Sequence, residues 1–337
     1  MFLAVPCILR CQEFSIDYST EMEWNFGSHA RWANLLCLGA DIPLWEGGSL
    51  QVGTIHIAHL GGTVIDDWQG FSNIDEDNNW AALAVLGYMH SWEKVNLFAG
   101  VRNLDEDFFT TDHTTFFTGS SPSIFPTLTA MYPAAYYPCT GLTLHFDVTL
   151  GEWTFKNNLY NGIGYNGWKH SDNPFIVRPD RDGVFDIAQI EWHHLSGHYY
   201  LGGAFNTRKF GVDEQGEYLP YDLSSRKFTL VWWAYCEQPL WSEADRNLYL
   251  LAQYSQSSSP SGGCHRYGEL GGIYTAGTNR VGLSLQYAKF HQGAERSAEL
   301  SWRKSICSFL SVQPSFQYID NKLGDYTVLT LRFDFSF

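Results

Sequence analysis

The last eleven residues of the chain, TVLTLRFDFSF (327–337), alternate without a break. Leu329, Leu331, Phe333, Phe335 and Phe337 fall on one face, and Val328, Thr330, Arg332, Asp334 and Ser336 on the other. A repeat of two is that of a β-strand with one oily and one polar side. The pattern recurs. SIDYSTEMEWNF (15–26) sets Ile16, Tyr18, Met22, Trp24 and Phe26 against Asp17, Ser19, Glu21, Glu23 and Asn25. GLTLHFDVTL (141–150), NRVGLSLQYAKF (279–290) and FLSVQPSFQYID (309–320) behave the same way. No segment carries a helical stripe, and no run of about 18 apolar residues is present for a membrane-crossing helix. Aromatic residues make up 16% of the chain, which suits strands.

Sixteen strands are predicted, over 14–26, 30–42, 48–60, 79–92, 94–104, 139–150, 152–161, 184–195, 197–208, 226–238, 246–256, 266–276, 279–289, 295–304, 306–318 and 325–337. The facing of 48–60, 79–92 and 226–238 is ambiguous, as bulges would make it. The connections sort into two series. One is tight, at Trp92–Glu93, Gly151, Ser196, Gly277–Thr278 and Ser305, with 239–245 as the main exception. The other holds the long segments 61–78, 105–138, 162–183 and 209–225. A soluble sandwich has no reason to place long and short connections at opposite ends. An outer-membrane barrel does, and it needs an even strand count. The fold class is therefore all-β: a transmembrane antiparallel β-barrel whose last strand closes against the first, because no open edge can face lipid.

A net charge of −15 argues against nucleic acid as a partner. Residues 1–12 read as the remnant of a secretory signal peptide, and 13–337 as one barrel domain. Beyond Gln12 five cysteines remain, Cys37, Cys139, Cys236, Cys264 and Cys307, with no metal-type spacing; a Cys139–Cys264 pair is one option. Histidines cluster in HIAH (His56, His59) and HHLSGH (His193, His194, His198). On a strand His193 and His194 face opposite sides, so no metal is assigned. No G-x-S-x-G motif points to a hydrolase, and no cofactor is called for.

Several stretches together resemble the carbohydrate-selective porin family, the OprB-like outer-membrane barrels. They are DDWQGFSNIDEDN (66–78), NLFAGVRNLDEDFF (96–109), TGSSPSIFPTLTAMYPAAYYPCTGLTLHF (118–146), WTFKNNLYNG (153–162), RNLYLLAQYSQ (246–256) and GELGGIYTAGTNRVGLSLQYAKF (268–290). The resemblance implies passive passage of small saccharides, a barrel in outer-membrane lipid of the bacterial cell, and loops folded inward to narrow the pore. A homotrimer fits porins of this size. The terminal Phe337 resembles the signal by which such proteins meet the barrel-assembly machinery. A general diffusion porin and a soluble all-β sugar-binding protein are the rival readings.

A sugar eyelet wants guanidinium donors, carboxylate and amide acceptors, and flat apolar surfaces. The segment 105–138 is the leading infolded loop, offering Asp105, Glu106, Asp107, Asp112 and His113. Strand phase points Arg102 into the lumen beside them; a solvated outer rim is the other reading of Asp105–Asp107. Loop 162–183 offers Trp168, Arg178 and Arg181, and loop 61–78 offers Asn73 and Asp75. Strand phase also turns His145, Asp147, Lys156, Glu299, Arg303, Arg332 and Asp334 inward.

Overall fold

The computed structural model describes residues 13–27, 29–132, 135, 137–165, 174–175, 177, 179–207, 211–212, 218–219, 229–258 and 263–337. The wall begins with β1 (Glu13–Trp24), β2 (Ala30–Trp45), β3 (Gly48–Gly61), β4 (Asn79–Ser91) and β5 (Val95–Arg102). It continues with β6 (Gly141–Leu150), β7 (Trp153–Asn161), β8 (Val184–His194) and β9 (Gly197–Asn206). After a small ribbon of β10 (Gly211–Val212) and β11 (Tyr218–Leu219) come β12 (Thr229–Glu243), β13 (Arg246–Ser257) and β14 (Cys264–Ala276). The last four are β15 (Asn279–Phe290), β16 (Ala294–Cys307), β17 (Leu310–Asn321) and β18 (Gly324–Ser336).

Among the described residues, all of these except the ribbon form one closed antiparallel barrel of sixteen strands. Closure is made by β1 and β18, in register from Asp17 opposite Ser336 to Trp24 opposite Leu329. Ile16 and Phe337 exchange backbone hydrogen bonds of 3.2 and 3.0 Å beyond them. The terminal aromatic residue is thus part of the seam. A soluble layered fold is ruled out by this ring, whose outside is oily. On β15, Leu283 and Leu285 are 47% and 50% exposed, while Ser284 between them is fully buried. Exposed tryptophans mark both rims: Trp45, Trp92, Trp153 and Trp241 near the tight turns, Trp24, Trp32, Trp80 and Trp232 near the loops. Indole belts of this kind sit at the two membrane interfaces.

Among the expected boundaries that move are two at the tight end of the barrel. β12 runs on to Glu243, so the connection to β13 is the short Ala244–Asp245 and the 239–245 exception disappears. Pro239 has no N–H for the ladder, and a register shift between Pro239 and Trp241 absorbs the defect. The turn expected at Ser305 lies at Ser308–Phe309, beyond a second shift between Ser305 and Cys307. The ambiguous facing of β3 and β4 also has a cause: their pairing slips between Gly53 and Thr54 and between Ile55 and Ile57. Among the described residues no Cys139–Cys264 disulfide is formed.

Leu285→Arg places a charge on the lipid face. It should lower the free energy of unfolding by about 2–4 kcal/mol, provided the position lies near the bilayer midplane. Denaturant titration of the protein folded into phospholipid vesicles measures this.

Candidate functional site

β5 is eight residues long, half of β2. The chain leaves the wall early, and 103–140 enters the barrel rather than forming an outer rim. Asn103 ties the two ends of this segment together: its side chain accepts from the Asp105 N–H at 3.1 Å and donates to the Cys139 carbonyl at 2.7 Å. A turn of 3₁₀ helix, Leu104–Glu106, follows. At this root Arg102 Nη1 donates to Asp107 Oδ1 at 2.6 Å, with both side chains about 5% exposed or less. The Arg102 guanidinium also lies 3.7 Å from the centre of the Phe98 ring. Asn158 donates to the other Asp107 oxygen, and Lys156 Nζ donates to the Asp107 carbonyl at 3.0 Å.

From there the segment crosses the lumen and is pinned to the opposite wall. The N–H groups of Thr118 and Gly119 donate to Glu299 of β16 at 2.7 and 3.1 Å. Gln313 of β17 donates to the Phe116 carbonyl at 2.7 Å, and Gln253 of β13 to the Pro122 carbonyl at 3.0 Å. Thr111 donates to Glu237 of β12. The short helix α1 (Pro126–Thr129) packs on β13 and β14. Phe108, Phe109, Phe125 and Tyr132 form a dry cluster with Phe185, Tyr200, Trp233 and Tyr267 of the wall. Phe116 lies flush on β15 at Gly282, where a Cβ would collide with its ring.

The segment 62–78 folds inward too. Trp68 and Gln69 N–H groups donate to Glu295 of β16 at 2.8 and 2.9 Å. Val64, Ile65 and Phe71 pack on Ile319 of β17 and Val328 of β18. The two infolded segments bond to each other, Asn73 N to Thr118 O at 2.8 Å and Ser120 N to Gly70 O at 2.9 Å. They make one partition.

Between this partition and the wall of β1, β2 and β16–β18 lies a cavity of about 740 Å³. Arg303, Arg332, Asp17 and Asp334 line it from the wall; Asn73, Glu76, Asp105 and Glu106 line it from the loops. Thr110, Thr115, Ser120 and Ser123 add hydroxyls, and Phe109, Ile124 and Tyr137 add apolar faces. Arg303 Nε donates to Gln313 at 2.6 Å, and its Nη2 is 3.6 Å from Asp334. Arg332 donates to Glu21 and Asn73. Desolvation inside the barrel, then the Asp75 and Asp77 carboxylates, push Glu76 up to about 7. Desolvation and then the Asp105 carboxylate push Glu106 up to about 7. Desolvation pushes Asp105 up to about 6, against a hydrogen bond from Tyr137 that lowers it.

Of the residues singled out from sequence, Asn73, Asp105 and Glu106 line this cavity together with Arg303, Arg332 and Asp334. Arg102 faces inward but does not reach the passage. Its Nη1 is held by Asp107, anchoring the root of the loop, because the chain doubles back within five residues. Asp75 pairs with Arg31 of β2. Asp112 is exposed, and its carbonyl accepts from Arg280 at 2.8 Å. His113 Nδ1 is 3.4 Å from Glu237, and its ring lies 4.3 Å from that of Tyr249. Trp168 and Arg178 lie outside the described residues, as does the side chain of Arg181 in the short helix α2 (Pro179–Asp182). Sequence reasoning missed Glu76 and Tyr137; the signal for Glu76 was its place in the acidic run IDEDN beside Asn73 and Asp75.

Known proteins place this geometry. The family model described as carbohydrate-selective porin, OprB family, matches residues 13–337. No curated protein matches the chain. Among solved structures, OprB of Pseudomonas putida at low pH aligns with a TM-score of 0.63 at 14% identity, over 97% of this chain and 92% of that one. The in-vitro folded trimer form of OmpT, an outer membrane protein of Vibrio cholerae, aligns at 0.60 and 11% identity, over 97% and 99%. The anion-selective porin of Comamonas acidovorans aligns at 0.57 and 10%, over 97% and 100%. At such identities these structures speak for the fold.

Arg102→Ala leaves the Asp107 charge buried without its partner. The barrel should lose about 3–5 kcal/mol of stability, seen as a lower midpoint when heat converts the folded gel band to the unfolded one.

Proposed function

The chain belongs to the carbohydrate-selective porin, OprB family and is a porin of the bacterial outer membrane, and from that premise we propose that small saccharides cross it through the cavity between the loop partition and the β16–β18 wall. The observation that carries this is the lining of that cavity. The wall contributes both guanidinium groups and carboxylates, the loops contribute further carboxylates, and flat apolar surfaces lie beside them. Its volume of about 740 Å³ falls in the range of roughly 300–1,000 Å³ typical of small-molecule sites. A sugar offers hydroxyls around its edge and C–H groups on its faces. Arg303 and Arg332 would donate to hydroxyls; Asp105, Glu106 and Glu76 would accept from them. Phe109 and Tyr137 supply surface for the C–H faces. Opposed charges order a neutral polar solute without holding it, which is what passive selective flow needs. The remaining features of this reading are a homotrimer, supported by the trimer form of the Vibrio cholerae protein, and assembly-machinery recognition of Phe337, supported by its place in the closing seam.

Liposomes carrying the protein should swell faster in small sugars than in zwitterions of equal size, and Arg303→Ala should reduce the difference. Equal rates would favour the general diffusion porin and remove the sugar-selective reading. A second prediction concerns pH. Because Asp105, Glu106 and Glu76 have raised pKa values, their negative charge is gained as pH rises through about 6 to 7. The preference for cations in a salt gradient should therefore grow between pH 5 and pH 8. A reversal potential that stays constant over that range counts against these carboxylates lining the path.

A further inference from the structure

On β8, Glu191 and His193 are two residues apart and both point into the lumen, as the period of a strand requires. The turn to β9 is the short Leu195–Ser196, and it sets His198 directly across the ladder from His193. The two imidazoles stack at 4.0 Å with 27° between their planes. His193 Nε2 and His198 Nε2 approach the same atom, Glu191 Oε2, at 3.3 and 3.5 Å. All three donor atoms lie within 4.8 Å of one another. Sequence reasoning separated His193 from His194, and the structure agrees; the true partner of His193 is on the next strand.

We propose that Glu191, His193 and His198 form a binding site for a divalent transition ion, zinc or another ion that favours imidazole, at the turn end of the lumen. A tetrahedral zinc about 2.0–2.1 Å from each ligand holds those ligands about 3.4 Å apart. The two histidine-to-carboxylate separations already have that value. The other carboxylate oxygen, Oε1, is taken by Lys156 Nζ at 2.7 Å and Gln189 Nε2 at 2.8 Å. These contacts orient Oε2 toward the imidazoles, the role outer partners play around metal ligands. Lys156 stands opposite Asp147 in the ladder. His198 Nε2 is buried, and beyond its 3.5 Å approach to Glu191 it makes no hydrogen bond, so an ion would complete its coordination. A fourth position opens into a cavity of about 340 Å³, lined also by Phe109, Thr110 and Lys156. It lies on the other side of Phe109 and Thr110 from the sugar passage, which these two residues also line. The site therefore stands or falls separately from the proposed function.

The test uses the full chain folded in detergent, without a polyhistidine tag and with its free thiols alkylated. Zinc chloride is titrated by calorimetry and cobalt(II) by visible absorption. One ion per chain should bind, with the absorption of tetrahedral cobalt. H193Q and H198Q should each bind at least tenfold more weakly. H194A, which alters an outward ring paired with Glu152, should bind as the parent does. All variants are first checked for the heat-modifiable gel shift of a folded barrel. No binding by the folded parent overturns the proposal, as does parent-like binding by H198Q or an equal loss in H194A.

Discussion

Inside a bilayer no water is available to a backbone N–H or C=O, so each must be bonded within the protein. That constraint makes the contact between the first strand and the last the one on which the rest depends. The pairing of β1 with β18, and the bonds from Ile16 to Phe337 beyond it, leave neither edge strand open. Once the sheet is a ring, the alternation of each strand has one meaning: one side lipid, the other lumen. The even count follows from closing that ring in a membrane, and the indole rims from its two interfaces.

The lumen face is not simply wet. Much of its polar surface is used to hold chain that has folded in from the loop end. Glu295 and Glu299 each accept two backbone N–H groups of an infolded segment, and Gln253, Gln313 and Gln317 each donate to a loop carbonyl. These bonds satisfy loop backbone that would otherwise be buried without partners. The result is a partition built by two loops together. The charged groups around the largest described cavity come from rigid strands and from loops held by them.

How much of this could be seen in the sequence depends on the kind of residue. Arg303, Arg332 and Asp334 sit on well-patterned strands, and strand phase alone turned them toward the cavity that they line. Arg102 was oriented correctly by the same reasoning. Its role was not, because Asp107 returns to it from the loop, a contact that phase says nothing about. Asn73, Asp105 and Glu106 were chosen from loop composition and reach the cavity; Asp75, chosen on the same ground, turns to Arg31. Glu191, His193 and His198 escaped notice as a group because the search ran along the chain, whereas the group is made across a hairpin.

The amino-acid sequence by itself determined the facing of the regularly alternating strands, the number of strands in the wall and the closed ring, since period-two alternation and turn spacing are local properties and the membrane allows them one solution. Only the tertiary structure decided which inward groups face water and which are consumed as anchors. That choice is made by contacts across the lumen between residues as distant as Thr118 and Glu299, or Phe71 and Gln317, 181 and 246 positions apart. No local pattern encodes such a pairing, because it depends on where a loop lands after the ring has closed.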